Sequence, residues 1–267
     1  MRYGIDLTGF GTYADARVVA RVAANAEAAG WDGVFLWDHL AWAFGFSSGD
    51  PWVSLAAAAV STDRIRLGTS VTPVARRRPQ VLAAQVAALD RLSGGRFTFG
   101  AGLGGTREEF EVFGDIADDR ARARKLDEGL EILAGLWSGE RVEHDGEHYT
   151  VRGATLAPLP MQRPRPPVWI GGAGRAALRR ASRWDGYTVG GVDEHGEITV
   201  EPSELADRVA LIGRRDRFDV VITGASNAGD HGLQDEYESA GATWWLESLH
   251  DLRGDLDTVL ARVADGP

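Results

Sequence analysis

Short apolar runs without polar alternation recur along the chain, each followed by a longer stretch whose apolar residues return at helical spacing. An unalternating run bounded by turn residues suits a strand covered on both faces of a parallel sheet, and the longer stretches suit amphipathic helices. The first pair is "YGIDL" (3–7) with "ARVVARVAANAEAAG", which stops at Gly30. The second is "GVFLWDH" with "PWVSLAAAAVST", opened by Asp50 as cap and Pro51 in the first turn. The third joins "IRLGTSV" (65–71) to "PQVLAAQVAALDRLSGG". The fourth joins "RFTFGAG" (96–102) to a short acidic segment and "RARARKLDEGLEILAGLWSG".

The rhythm then breaks. "RVEHDGEHYTVRGATLAPLPMQRPRPP" places an Asp145-Gly146 turn between two alternating runs, which predicts a hairpin followed by a proline-rich return. It resumes as "VWIGG" with "RAALRRASRW", "DGYTVGG" with "SELADRVALIG", "FDVVITG" with "LQDEYESAG", and "TWWLESL" with "LDTVLARVAD". Eight alternations in 267 residues predict an α/β fold, a closed (β/α)8 TIM barrel rather than an open doubly wound sheet. The expectation is a single domain over residues 1–267, with a short hairpin insertion before strand 5 at approximately 139–166.

Composition narrows the chemistry. The absence of cysteine excludes disulfides, thiolate zinc sites and thiol nucleophiles. Lys125, the single lysine, falls in a helical pattern, which argues against a Schiff base. A net charge of −10 argues against nucleic acid but leaves room for a local basic patch. The longest apolar runs, such as "VSLAAAAV", fall far short of the ~20 residues of a membrane span, and "RYGIDL" begins with no basic-then-apolar leader. These features lead us to expect a soluble cytoplasmic protein with no membrane partner.

In such a barrel the active site lies where the strands end. Asp38 and His39 follow strand 2, with Trp42 and Phe44 behind them. Ser70, Val71, Thr72 and Pro73 follow strand 3, then Arg76, Arg77 and Arg78. Strand 4 ends in "GAGLGGT", with Gly104, Gly105 and Thr106 at its close. Strand 5 ends in Gly171, Gly172, Ala173, Gly174 and Arg175, strand 6 in Gly190 and Gly191, strand 7 in Thr223, Gly224 and Ser226, and strand 8 in Glu247. Two glycine-rich strand ends suggest a large ligand with phosphate, because glycine admits close backbone approach and a helix start binds anions. Gly172, Gly174 and Ala177 fit a G-x-G-x-x-A spacing, but four βα units precede them, against a Rossmann fold. Asp38 and His39 read equally as a structural pair or as chemistry at a pocket mouth, and adjacent residues there point in opposite directions. The arginine triplet reads as a solvated helix start or as an anion patch. His144 and His148 flank the Asp-Gly turn, so they are no helical zinc pair. His195, His231 and His250 look incidental, no strand offers H-x-H, and no metal site is expected. Trp42 and Trp52 are candidates to wall an aromatic ligand.

"FLWDHLAW", "DPWVSLAAAAVSTDRIRLGTSVTPVARRRPQVLAAQVAALDRLSGGRFTFGAGLG", "RARARKLDEGLEILAGLWSG", "PPVWIGG" and "RRASRWDGY" together resemble the bacterial-luciferase-like superfamily of flavin- and deazaflavin-dependent oxidoreductases. The resemblance covers most of residues 1–190 in order. It implies a (β/α)8 barrel holding coenzyme F420 or FMN at its C-terminal face, and a homodimer. "GTSVT" is where such proteins place a bulge with a non-prolyl cis peptide, here Ser70–Val71, against the tricyclic ring. "LGGT" and "GGAGR" would surround the ribityl chain and phosphate. Asp38 and His39 match the strand-2 end bordering ring and substrate in the deazaflavin users. Some deazaflavin sugar-phosphate dehydrogenases carry a glutamate close after strand 4. This chain reads Gly104-Gly105-Thr106 there, and Glu108 comes too late for that role.

The leading expectation is an F420-dependent oxidoreductase moving a hydride between the deazaflavin and a small organic substrate. His39 would transfer the proton, and Asp38 would orient His39 or the cofactor. Arg76 to Arg78 would receive the acidic tail of F420. An FMN-dependent luciferase-like monooxygenase using reduced flavin and O2, and a non-catalytic flavin- or deazaflavin-binding protein, are the alternatives, and a separate flavin or F420 reductase is the candidate partner.

Overall fold

A computed structural model of the chain describes residues 1–191, 193, 198–213, 216–229, 231–250 and 253–267. The strands in chain order are β1 (Arg2–Leu7), β2 (Gly33–Leu36), β3 (Arg66–Thr69), the two-residue β4 (Thr72–Pro73), β5 (Phe97–Gly102), β6 (Val142–Asp145), β7 (Thr150–Ala154), β8 (Val168–Gly171), β9 (Gly186–Gly190), β10 (Asp219–Gly224) and β11 (Trp244–Leu249). Eight of them pair in parallel in the order β1-β2-β3-β5-β8-β9-β10-β11, and β11 pairs back onto β1, which closes the barrel. The expected (β/α)8 architecture is therefore the one observed.

Helices α1 (Ala16–Ala28), α2 (Pro51–Val60), α3 (Pro79–Leu92), α4 (Glu108–Glu111), α5 (Asp119–Ser138), α6 (Arg175–Ala181), α7 (Pro202–Ile212), α8 (Gly232–Ser239) and α9 (Leu256–Ala264) surround it. Carboxylate caps start several of them. Asp50 accepts from the backbone N–H groups of Trp52 and Val53, as "DPW" predicted, and Asp15, Asp118 and Asp255 do the same for α1, α5 and α9. The hairpin also forms: β6 and β7 pair antiparallel, and Glu128 of α5 holds it by accepting from the His148 and Tyr149 N–H groups and meeting His144 Nε2 at 3.2 Å. His144 thus stands on a strand and His148 in the turn.

Alternation along the strands sorts side chains between the barrel interior and the helix-facing core. Outward residues such as Ile5, Leu7, Val34, Leu36, Val220 and Ile222 join the large core under the helices. Inward residues form a separate core of Phe35, Trp169, Val221, Trp244 and Leu246. Glycines make room for these rings. A Cβ on Gly186 would fall 2.4 Å from Trp169 and one on Gly33 would fall 2.6 Å from Phe35. Below this aromatic plug the interior carries Arg2, Arg66 and Asp219, and above it Asp6, Trp37, Ser70, Thr188 and Thr223. The plug seals the middle, so each mouth is a separate chemical environment.

The Ser70–Val71 peptide is cis, as the resemblance implied. It interrupts the third strand, and the chain resumes as β4 beside β5, with Thr72 opposite Ala101 and Pro73 opposite Gly102. Close approach here demands glycine: a Cβ at Gly100 would lie 1.9 Å from the Thr69 carbonyl oxygen, and one at Gly102 would lie 2.5 Å from Val71 Cγ2. The Gly100 clash is with backbone, so no rotamer relieves it. We expect Gly100→Ala to lower stability by about 3 kcal/mol or more, read from urea unfolding, while an alanine at exposed, unobstructed Gly105 leaves the midpoint nearly unchanged.

Candidate active site

The upper mouth of the barrel holds a cavity of about 430 Å3 lined by Asp6, Trp37, Ser70, Val71, Gly171, Gly172, Ala173, Thr188, Val189, Gly190, Thr199, Val200, Arg208 and Thr223. Five of the expected ligand contacts, Ser70, Val71, Gly171, Gly172 and Ala173, are on that wall. The remaining expected contacts are elsewhere. Thr72 is fully buried behind the bulge. Gly104, with φ of 85°, gives its carbonyl to Arg122 Nη1 at 3.0 Å, and Gly105 and Thr106 continue that loop into α4. Gly174 and Arg175 begin α6 at the exposed surface.

Asp6 and Trp37 were not anticipated. Asp6 is 2 % exposed, and its Oδ2 accepts from Trp37 Nε1 at 2.6 Å. Its Oδ1 is buried with no hydrogen-bond partner among the described residues. Burial pushes this carboxyl up to about 7, against the pull of Trp37 and Ser70. The sequence signal was a lone acid inside the strand "YGIDL", at a position whose alternation with Ile5 and Leu7 turns it inward. Among the described residues Arg208 is the cation on the cavity wall, bonded to Glu204 and to the Tyr187 hydroxyl at 3.3 Å.

Asp38 and His39 diverge, as adjacent residues at a strand end must. Asp38 is 1 % exposed and turns away from the cavity. Its Oδ1 accepts from Arg76 Nη2 and Arg77 Nη2, each at 2.8 Å, and its Oδ2 from Arg77 Nε at 3.0 Å. Burial alone would push the carboxyl up, but the Arg77 and Arg76 guanidiniums outweigh it and hold Asp38 below the ordinary carboxylate range. Two expectations change here. Asp38, expected to orient the cofactor or His39, is here paired with Arg76 and Arg77. Arg76 and Arg77, with side chains 6 % and 19 % exposed, are taken up by the protein's own carboxylates instead of standing open for an acidic tail. Arg78 alone of the triplet is exposed. Trp52 is likewise buried, under Arg77 at 5.4 Å, and packs on Phe97 rather than walling a ligand.

His39 stays at the mouth, against Trp37 and Phe10, with a side chain 22 % exposed. Its Nδ1 lies 2.6 Å from Oε1 of Glu109, which also accepts from the Leu40 N–H at 2.9 Å. Glu109 is fully buried and its Oε2 pairs with Arg76. Glu109, one residue beyond Glu108, thus stands beside His39, a contact that the Gly104-Gly105-Thr106 stretch after the fourth strand did not announce. The loop delivers it: Arg122, buried, bonds the Gly104 carbonyl and lies 4.4 Å over Phe110, which seats α4 against the His39 loop. With Nδ1 turned to a carboxylate, Nε2 is the ring nitrogen left to exchange a proton with a ligand.

The other histidines stand apart. His231 bonds Gln234 at 2.9 Å, and His195 lies outside the described residues. Trp42 is 54 % exposed on the rim, 4.9 Å from Phe113.

A glycine-walled pocket at the C-terminal mouth of a parallel barrel, with a histidine–glutamate pair at its lip, has the form of a small-ligand site. The family model described as luciferase-like monooxygenase matches residues 4–251, and the chain belongs to that family. An F420-dependent glucose-6-phosphate dehydrogenase of Microbacterium testaceum is 36% identical over 205 residues, 74% of this chain and 60% of that protein. The chain thus matches less than two thirds of that relative's length. Among solved structures, the monooxygenase RslO1 of Streptomyces bottropensis superposes with a TM-score of 0.79 at 21% identity, over 98% of this chain and 96% of that one. The coenzyme F420-dependent tetrahydromethanopterin reductase of Methanopyrus kandleri does so with a TM-score of 0.79 at 18% identity, over 99% and 97%. No helix among the described residues is long and apolar enough to cross a membrane.

Two outcomes follow. Asp38→Asn leaves two nearly buried guanidiniums short of a charge and is expected to cost about 3–5 kcal/mol in chemical denaturation, whereas His39→Ala costs little. Asp6 has a folded value of about 7 against 3.8 unfolded, so the folded state binds its proton more tightly and stability falls as pH rises from 4 to 7. Asp6→Asn should therefore raise the melting temperature at pH 8, by the equivalent of up to roughly 4 kcal/mol, with the gain vanishing near pH 4 in melts across that range.

Proposed function

We propose that this chain is an F420-dependent oxidoreductase that moves a hydride between the deazaflavin and a small organic substrate, acting as one barrel unit over residues 1–267 with 139–166 as an insertion. The observation that carries it is the contact of His39 with buried Glu109 beside the cavity. The kinship to F420-dependent glucose-6-phosphate dehydrogenases supports it. A pocket of about 430 Å3 is within the range of ligand sites, and its glycine wall at Gly171, Gly172 and Gly190 leaves backbone open to a flat ring. The orphaned Oδ1 of Asp6 is a polar atom that a ring N–H or carbonyl would satisfy, so the residues present fit such a group.

When bound, F420 supplies hydride transfer at a ring carbon. The protein's part is protonic and positional. His39 Nε2 takes a proton from a substrate hydroxyl in oxidation, or returns it in reduction, while Glu109 fixes the ring and stabilises its charged form. Asp6, titrating near neutrality, would hold the cofactor by donating to a ring carbonyl or accepting from a ring N–H, and Arg208 would offer a cation to an anionic group. The Trp37 and Phe10 rings pack against His39 and fix its orientation.

The second reading is an FMN-dependent monooxygenase using flavin reduced elsewhere, which the likeness to monooxygenase folds keeps open. Fluorescence titration of the apoprotein with F420 and FMN separates the two. Tighter F420 binding is expected, and preferential FMN binding overturns the first reading. His39→Ala should keep F420 affinity within about twofold yet lower hydride transfer 10²-fold or more in stopped-flow measurements, and an unchanged rate would remove His39 from the chemistry.

A further inference from the structure

The lower mouth of the barrel, at the pole away from His39, holds a second cavity of about 570 Å3 that shares no lining residue with the first. Arg2, Arg66, Arg163, Arg165 and Arg217 stand on its wall. Against them, among the described residues, are two carboxylates, and both are engaged. Asp219 pairs with Arg2 and accepts from Trp169 Nε1 at 3.1 Å. Asp185 pairs with Arg165 and accepts from the Val168 N–H at 2.8 Å.

Three guanidiniums remain. Among the described residues, no ion pair joins Arg66, Arg163 or Arg217 to a carboxylate. Arg66 reaches only the Thr98 hydroxyl, at 3.2 Å, and Arg163 reaches carbonyls of its own loop. Burial pushes the Arg66 guanidinium down, neighbouring Arg2 pushes the same way, and Asp219 and Asp90 oppose them. Arg217 is exposed and is the one non-glycine residue at positive φ, 62°, among the described residues. Such a backbone is uncommon for a long side chain and occurs at turns as well as at functional sites. In a chain of net charge −10, a concave site with three unmatched cations is an island of opposite sign.

We propose that this lower mouth is a binding site for a small polyphosphate group, with guanidinium forks from Arg66, Arg163 and Arg217 as its recognition elements. Three uncompensated charges match a pyrophosphate better than a single phosphate, and the cavity is wide enough for a nucleotide that carries one. The aromatic plug separates the site from the upper pocket, so the proposal is independent of which cofactor binds there.

Isothermal titration of the whole chain with pyrophosphate, at low and moderate salt, tests it. Saturable one-to-one binding is expected, weakening with salt and falling by about tenfold or more in the Arg163→Gln/Arg217→Gln double variant, both exposed positions whose loss spares the fold. Arg208→Gln, in the upper pocket, should leave pyrophosphate affinity unchanged. Titration with ATP distinguishes the sources: tighter ATP binding points to a nucleotide, equal binding to the polyphosphate group alone, and either supports the site. Absence of binding, equal affinity in the double variant, or loss of binding in Arg208→Gln would each overturn it.

Discussion

Four charged side chains hold the upper face together. Asp38 and Glu109, both buried, are bridged by Arg76, and Arg77 completes the charge balance on Asp38. Those residues come from three places: the end of β2, the turn after β4, and α4. The clamp therefore ties the loops that follow three successive strands. Burying such ions is costly unless each finds its partner, and removing one leaves the rest stranded. Everything chemical at the mouth depends on that balance. Glu109 can offer an oxygen to His39 because its other oxygen is already matched by Arg76.

The interior of the barrel explains why the two faces differ. A plug of Phe35, Trp169, Val221, Trp244 and Leu246 fills the middle, admitted by inward glycines. Above it the interior positions are small or polar and leave a cavity; below it they are arginine and aspartate. Asp6 sits directly on the upper side, where its own burial pushes its carboxyl up to about 7. At the lower mouth Arg66 is partly buried without a carboxylate partner among the described residues, while Arg163 and Arg217 are exposed at its rim.

The fold was legible because each strand must be apolar on both faces and each helix on one, and those periods are written in the residues themselves. The cap at Asp50, the hairpin at Asp145-Gly146 and the eight alternations all follow from local rules. The site was legible only in part. "WDH" marked a polar strand end at the mouth, and "GTSVT" and "GGAGR" supply residues of a cavity wall, because a strand end must lie at the mouth. The partners of those residues were not, since a side chain's partner is set by distances between loops that no spacing along one loop encodes.

Arg76, Arg77 and Glu109 show the division. The sequence by itself determined that three arginines follow the third strand and that acids follow the fourth. Whether those arginines would face solvent, a ligand or the protein's own carboxylates was decided only when the loops after β2, β4 and β5 met. Once Asp38 and Glu109 were enclosed they required cations at contact distance, and Arg76 and Arg77 were the ones in reach. Periodicity is a property of neighbours in the chain; charge pairing in a closed interior is a property of neighbours in space.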